Sequence, residues 1–380
     1  MVESPFQYGT LATNENFIDR VSERASLKQM LSSGINVALI SPRRWGKSSL
    51  VKMAMDELTT ERSDIRVCYL DAFSIDSIEE FYSRFASAVI SCASSKIEKV
   101  WSDAKKYLGG IIPGFTISDG LNDIVSIDFR HDPLKKNDAQ ILDLPEKIAS
   151  DKGVRIIVCI DEFQQLAEMD GYAGLEGKMR AAWQNHKHVS YCFYGSKKHM
   201  MMEIFSDSQK PFYRFSETMF LGKIPKSDWI PFIMGGFQKT GKSIDESFAE
   251  EICDKTDCHS WYLQQMSFFV WSDTAKEVTR DIMDRSFRRI LDTNAPMFMN
   301  DVEKLSTSQR EMLKAISSGE KMLYSEITRK RFKLGNLTTI TRNKRILETK
   351  SFIDSKDGAL EILDPIFRVW FNEFFCKSQN

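Results

Sequence analysis

Long hydrophobic runs are missing from this 380-residue chain. The longest unbroken apolar stretch is Ile156–Ile160, far short of the roughly 18 residues a membrane-crossing helix needs, so no membrane span and no membrane partner are expected. An excess of one charge is also missing. The 52 Lys and Arg against 53 Asp and Glu leave a net charge of −1, which argues against a uniformly basic, histone-like binder while leaving local patches open. Cysteine is sparse: seven residues, an odd number. Cys159 in IIVCID and Cys192 in YCFYG sit among apolar neighbours and read as small buried hydrophobes. The first twenty residues hold no basic start followed by an apolar stretch, so no secretory signal is expected. Together these features read as a reduced, cytoplasmic protein. No internal repeat or low-complexity tract interrupts the chain. What remains is 42% hydrophobic and 28% charged residues, a globular profile, and at about 150 residues per domain the length suggests two or three.

Strand and helix patterns alternate through the first 225 residues. Asn36–Ile40 is a short apolar run that ends in the loop SPRRWGKS. Ile65–Leu70 ends in Asp71, and Ser77-x-x-Glu80 then forms a capping box ahead of Ile78, Phe81, Phe85 and Val89 at helical spacing. Ile156–Ile160 ends in Asp161-Glu162, Val189–Tyr194 ends in Gly195-Ser196, and Glu217–Leu221 is a candidate fifth strand. Strands separated by helices imply a mostly parallel sheet covered on both faces, with ligands at the carboxyl ends of the strands, where all these polar residues fall. Between Trp101 and Glu146 the pattern weakens around Gly109, Gly110, Gly114 and Gly120, and the β-like pieces Phe115–Ser118 and Val125–Phe129 read as an inserted hairpin.

From about Lys223 to Asn300 the pattern is helical, with Phe248–Ile252, Trp261–Trp271 and Ala275–Leu291 as its segments. Ser306-x-x-Gln309 caps a further helix, a second lies near Ser325–Lys330 and a third spans about Asn336–Thr349. Ser351–Ser355 and Ala359–Leu363, joined by Lys356-Asp357-Gly358, form a hairpin. Three helices and a hairpin make a winged-helix arrangement.

Ser41-Pro-Arg-Arg-Trp-Gly-Lys-Ser48 matches G-x-x-x-x-G-K-[ST] except at Ser41. Such a loop wraps phosphate oxygens with backbone N–H groups and hands them to a helix N-terminus. Gly46 permits close backbone approach, Lys47 reaches the β- and γ-phosphates, and the Ser48 hydroxyl is a Mg²⁺ ligand. Asp161, at the tip of a buried strand, is the expected second Mg²⁺ ligand, and Glu162 the group that orients or deprotonates an attacking water. Arg43 and Arg44 sit inside the loop and suit either phosphate contact or solvent.

With these motifs in place, the chain resembles the archaeal-type ATPases, a branch of the AAA+/STAND group of P-loop NTPases, over most of its length. SPRRWGKSSL looks like that family's G-P-R-R-x-G-K-T-S-L, and Asp161-Glu-Phe-Gln164 its D-E-F-Q. The resemblance places Phe17-Ile-Asp-Arg20 near the adenine, makes Ser196 of Tyr194-Gly-Ser196 a sensor of the γ-phosphate, and makes Arg214 of Pro211-Phe-Tyr-Arg214 a phosphate-directed arginine. Cys258-His-Ser-Trp-Tyr-Leu-Gln264 resembles G-H-P-Y-Y-L-Q of the helical lid, and Asp364-Pro-Ile-Phe-Arg-Val-Trp370 the D-P-x-F-x-x-W that closes the winged helix. Ser41 and Asp19 stand where the family has glycine, and Ser260 where it has proline.

The expected fold is therefore α/β: a P-loop NTPase sheet with helices on both faces over residues 1–225, a helical lid over 226–300 and a winged helix over 301–380. The expected nucleotide site draws on Phe17, Arg20, Ser41, Pro42, Arg43, Arg44, Trp45, Gly46, Lys47, Ser48 and Ser49 for ATP or ADP. Ser48 and Asp161 serve Mg²⁺; Lys47, Glu162, Ser196 and Arg214 serve catalysis. The expected function is ATP hydrolysis that drives rearrangement of lid and winged helix; the alternative is a nucleotide-gated switch with little or no hydrolysis. A small-molecule kinase fits less well, because no substrate-pocket motif accompanies Asp161-Glu162. Cys253-x₄-Cys258-His259 departs from zinc-ligand spacing and reads as lid packing. Residues 321–350 carry nine Lys and Arg against Glu326 and Glu348. On the third helix of this region Leu337, Ile340 and Leu347 face the core, Thr338, Arg342 and Arg345 share a neighbouring face, and Lys344 snorkels from the apolar arc. That face suits double-stranded DNA as a partner; a protein partner or self-association is the other expectation.

Overall fold

The computed structural model describes residues 3–10, 17–18, 20–93, 97–108, 114–118, 124–128, 138–356 and 359–376. Asp19, Gly109, Gly110, Gly120, Phe129 and the Asp357-Gly358 turn lie outside the described residues. The chain forms two compact units, Arg20–Gly222 and Met1–Asp19 with Lys223–Asn380.

Strands in the first unit are β1 (Val37–Ile40), β2 (Ile65–Asp71), β3 (Gly114–Ser118), β4 (Ile124–Asp128), β5 (Arg155–Asp161), β6 (Val189–Gly195) and β7 (Glu217–Phe220). Its helices are α1 (Val21–Ser32), α2 (Lys47–Glu61), α3 (Ile78–Cys92), α4 (Ile97–Leu108), α5 (Asp138–Leu142), α6 (Leu144–Lys152), α7 (Tyr172–Trp183) and α8 (Lys198–Ser206). Five strands form one sheet in the order β2-β5-β6-β1-β7, and every pairing in it is parallel. All five carboxyl ends consequently lie along one edge of the sheet. β1 and β6 are buried at every residue, which requires cover on both faces. Strand alternation sorts the two layers. Ile156, Val158 and Ile160 join Phe81, Phe85, Met179 and Trp183 in one core, while Ile157 and Cys159 are buried on the opposite side, where α1 and α2 lie. The inserted hairpin expected in the weakly patterned region is present as antiparallel β3 and β4, preceded by α4. Ser77 Oγ accepts from Glu80 N at 3.2 Å, but the Glu80 carboxylate turns to Asp76 N (3.1 Å), one residue earlier than a full capping box requires.

At the amino end of β6 a buried histidine supplies a titration that the fold feels. His186 Nε2 lies 3.2 Å from Asp143 Oδ1, and its Nδ1 lies 2.9 Å from the Tyr191 hydroxyl. Burial holds its pKa below the ordinary 6.5, against the opposing pull of Asp143 and Glu146. Between the two values the unfolded chain carries a proton that the folded one refuses, so stability is lost as pH falls below 6.5. The expected slope is at most about 1.4 kcal/mol per pH unit, and it should flatten in His186→Gln. Melting temperatures of both proteins between pH 7 and 5 check this; equal slopes would contradict it.

The second unit contains α9 (Lys226–Lys239), α10 (Glu246–Lys255), α11 (Ser260–Asp273), α12 (Arg280–Glu303), α13 (Thr307–Ser317), α14 (Glu326–Arg331), α15 (Leu337–Thr349) and α16 (Pro365–Phe371). The antiparallel pair β8 (Ile353–Lys356) and β9 (Ala359–Ile362) completes it. One apolar core runs from Phe6 and Trp229 through Tyr262 and Phe298 to Trp370. α9 carries Pro231, Gly235 and Gly236, which weaken a helical pattern, and Gly236 is there because a Cβ would come within 2.8 Å of the Phe6 ring. The helix expected from Ala275 begins only at Arg280. Ser243 pairs with Glu277, and Thr279 then caps α12 by accepting from Ile282 N at 3.4 Å. α12 continues past residue 300 to Glu303. Ser306 and Gln309 form the complete capping box expected of them.

Leu337 is a correction: it is 52% exposed rather than in the core. It sits at the first position of α15, one turn before the buried stripe of Ile340, Asn343 and Leu347, and Asn343 Nδ2 donates to Ser308 Oγ at 3.1 Å. Thr338, Arg342 and Arg345 are exposed, and half-buried Lys344 reaches Glu348 at 3.7 Å. Among the described residues no helix is long and apolar enough to cross a membrane.

Candidate functional site

β1 ends at Ile40 and the chain turns through Ser41–Gly46 into α2. Arg44 (φ 65°) and Gly46 (φ 87°) take the left-handed conformations that fold this loop. Ser41 does not, so it tolerates a side chain where the resembling loop has glycine. It is buried, and its Oγ donates to Pro42 O at 3.1 Å. Gly46 stands at the N-cap of α2 and offers its first amides no side-chain cap. A helix N-terminus beside a buried lysine suits an anion.

The side chains at this edge converge. Lys47 Nζ lies 3.3 Å from Glu162 Oε1, and Ser48 Oγ donates to Asp161 Oδ2 at 2.7 Å. Asp161 Oδ1 accepts from Glu162 N at 2.8 Å. The other Glu162 oxygen accepts from Ser196 Oγ (2.8 Å), Ser196 N (3.3 Å) and Gln164 Nε2 (2.5 Å). Lys47, Ser48, Asp161, Glu162 and Ser196, singled out from three separate segments, therefore meet at the tips of β1, β5 and β6. Burial raises the pKa of Asp161 despite the Lys47 charge and the Ser48 hydroxyl. Burial pushes Glu162 the same way, but the Lys47 charge and the hydrogen bonds from Gln164, Ser196 and Lys47 prevail and hold it low. Glu162 also sits in the left-handed region at φ 48°, a strained backbone of the kind held at working sites.

Arg20 is only 4% exposed and is spent on backbone: its guanidinium donates to Trp45 O (3.1 Å) and Gly222 O (2.9 Å) and pairs with Glu23 (3.2 Å). It fastens the phosphate loop to the segment after β7. Arg43 and Arg44 are exposed, Pro42 and Trp45 are half-buried, and Ser49 is buried. Phe17 belongs to the other compact unit. Arg214 is exposed at φ 54° with its guanidinium 5.2 Å from the Tyr213 ring centroid; among the described residues it makes no hydrogen bond or ion pair with the Lys47–Glu162 cluster.

A sequence model described as an ATPase domain predominantly from Archaea matches residues 17–266. The chain belongs to this family. No curated protein matches the ATPase in sequence. Among solved structures it is similar to the Walker-type ATPase of Pyrococcus abyssi, with TM-score 0.71 and 17% identity over 97% of this chain and 99% of the other. It is also similar to the ORC2 protein of Aeropyrum pernix, solved as ADPNP-ADP complexes, with TM-score 0.59 and 13% identity over 98% and 99%. The ORC1 protein of Aeropyrum pernix, solved with DNA, matches at TM-score 0.50 and 11% identity over both chains in full. At these identities the likeness is one of fold: a P-loop ATPase with a parallel five-stranded sheet.

Two residues of the ATPase site escaped the sequence reading of roles. Gln164 is fully buried and holds the Glu162 carboxylate, yet its only sequence signal is its place two residues after Glu162 in D-E-F-Q. Gly195 is its counterpart. A Cβ there would lie 1.9 Å from Gln164 Oε1 and 2.7 Å from Met201 Sδ. Gly195→Ala is therefore expected to cost about 1–3 kcal/mol of stability and to expel the Gln164 amide from its place on Glu162. Thermal melts together with ATP turnover check this, and a fully active, equally stable variant would contradict it.

Proposed function

We propose that the ATPase binds Mg²⁺·ATP at the carboxyl ends of β1, β5 and β6 and hydrolyses it. On this reading, phosphate binding shifts the balance of arrangements between the sheet domain, a helical lid (226–300) and a winged helix (301–380). The observation that carries the reading is the meeting of Lys47, Ser48, Asp161, Glu162 and Ser196 within one hydrogen-bonded cluster. Lys47 neutralises β/γ-phosphate charge, and the Gly46 turn supplies amides. The Ser48 hydroxyl and the Asp161 carboxylate are hard oxygen donors paired at 2.7 Å, a set that fits Mg²⁺ completed by phosphate and water oxygens. Among the described residues no group of three His, Cys, Asp or Glu side chains holds a metal alone, which suits an ion that arrives with its nucleotide. Bound there, Mg²⁺ would neutralise phosphate charge. Glu162 orients the attacking water, Ser196 senses the γ-phosphate, and exposed Arg214 is available to a neighbouring copy.

The switch reading draws support from Glu162 itself. Its carboxylate already accepts four hydrogen bonds, from Lys47, Gln164 and the two Ser196 donors, so it must leave partners to handle water. DNA association draws support from exposed Thr338, Arg342 and Arg345 on α15. Phosphate release from Mg²⁺·ATP, measured with and without duplex DNA, tests both. Release abolished by chelation supports hydrolysis, stimulation by DNA at low salt supports the DNA contact, and no release under any condition leaves the switch.

A further inference from the structure

The cysteine pair set aside as lid packing has a more specific geometry. α10 ends in a turn in which Asp257 N donates to Asp254 O (3.2 Å) and Cys258 N donates back to Cys253 O (2.9 Å). This 6→1 and 5→2 pattern brings the side chains three residues before and two residues after the helix end into contact, usually as an apolar pair. Here the two positions are both thiols, Cys253 and Cys258. The position that normally takes glycine is Asp257, and Asp257 (φ 49°) and Cys258 (φ 51°) are both left-handed. A disulfide needs its α-carbons within about 7 Å, which one helical turn closed by a backbone hydrogen bond provides.

We propose that Cys253 and Cys258 are a peroxide-oxidisable dithiol, with Cys258 the attacking thiol and Cys253 the resolving one. The Cys258 thiolate attacks a peroxide oxygen, the O–O bond breaks, and Cys258 becomes a sulfenic acid while the departing oxygen leaves, protonated, as water or alcohol. The Cys253 thiolate then attacks that sulfur and displaces hydroxide, which takes up a proton. With hydrogen peroxide the balance is two thiols plus one peroxide to one disulfide plus two waters.

The surroundings favour this order of events. Cys253 is fully buried, whereas Cys258 is half-buried and immediately precedes His259, the N-cap of α11. The neighbouring Cys253 thiol holds the Cys258 thiol low against burial and the Asp257 charge, with Lys223 and Lys226 helping, while Cys253 itself is raised by its thiol neighbour and by burial. Lys223 pairs with Asp257 at 2.5 Å and Lys226 with Asp254, so both ammonium groups are fixed to this turn. A low, partly exposed thiol beside a second thiol is the environment of a sensing cysteine. The other cysteines differ. Cys159 and Cys192 are sealed in the sheet, Cys68 is buried beside Cys92, and Cys376 is raised by burial.

The full chain treated with hydrogen peroxide and mapped by non-reducing peptide mass spectrometry tests this. The expected result is loss of two of the seven thiols together, a Cys253–Cys258 disulfide reversed by dithiothreitol, and alkylation of Cys258 about tenfold faster than Cys92 or Cys376. In Cys253→Ser a sulfenic acid at Cys258 should be trapped by dimedone, whereas Cys258→Ser should leave Cys253 reduced. Oxidation of Cys92 or Cys376 first, a Cys68–Cys92 disulfide first, or overoxidation of Cys258 without a disulfide would overturn the proposal. The mapping uses the unsubstituted chain, so it stands whether or not the variants fold and whether or not ATP is hydrolysed.

Discussion

Lys47→Ala is expected to lower ATP turnover on the order of a hundredfold or more, the loss typical of removing one fixed charge-stabilising donor. The same change unsettles the resting site. Lys47 is 6% exposed and is the counter-charge for two neighbouring carboxylates, bonding Glu162 at 3.3 Å and lowering the pKa of Asp161 as well. Without it, burial at both acids loses its main opposing charge and both pKa values shift upward. Stability should fall by about 1–3 kcal/mol near neutral pH, less than the 3–5 kcal/mol of a fully buried pair because Glu162 keeps partial solvent access. The pH dependence has a definite sign. In the parent protein Glu162 is held low, so its contribution is present above about pH 4.5 and lost as pH falls through its folded value. In Lys47→Ala both folded values rise, that of Asp161 from one burial has already raised, so acidification toward pH 5 relieves part of the penalty. The stability gap between the two proteins should therefore narrow from pH 7.5 to 5. Lys47→Met, which keeps most of the volume, should show the same narrowing. Melting curves across that range check it, and a gap independent of pH would mean that lost packing, not charge, is the cause.

The layout of the sheet could be read from sequence because its strands are short, apolar and each stopped by polar residues at the same edge. Fully buried β1 and β6 leave no polar face to confuse the period. The loop was legible for a local reason too: Gly46, Lys47 and Ser48 are consecutive and lie at the N-cap and first turn of α2. What the sequence does not show mostly involves partners distant in sequence. Arg20 carries a motif signal for the nucleotide side, but its clamping of the loop through carbonyls 25 and 202 residues away has no local signal. Gln164 was quoted as part of a motif, but its role depends on the missing Cβ of Gly195 in another strand. Leu337 has the right spacing for burial, yet nothing in the spacing says where the cover over α15 stops. Ser260 in place of proline has a local reading: it is the first residue of α11, the helical position where proline is tolerated but not needed.

Glu162→Gln separates catalysis from switching more sharply than any other single change. The carboxylate has a divided job, with Oε2 held by Ser196 and Gln164 and Oε1 facing Lys47. A glutamine offers one acceptor and one donor. If its oxygen keeps Ser196 and Gln164, its NH₂ points at the Lys47 ammonium, donor against donor; if it turns over, the NH₂ meets Ser196 N and Gln164 Nε2. In both orientations Lys47 loses a negatively charged competitor for phosphate. Releasing a partly exposed ion pair is worth about 1 kcal/mol, so ATP should bind about fivefold more tightly. Turnover should move the opposite way. An amide does not take a proton from water, and the loss expected of a removed general base is about 10²–10⁴-fold. Tighter binding with slower release of phosphate is thus the signature of a working base that also restrains the lysine. Tighter binding with unchanged turnover would leave Glu162 as a latch on Lys47 alone, and the chemistry would then fall to water ordered by Ser196 and the phosphates themselves.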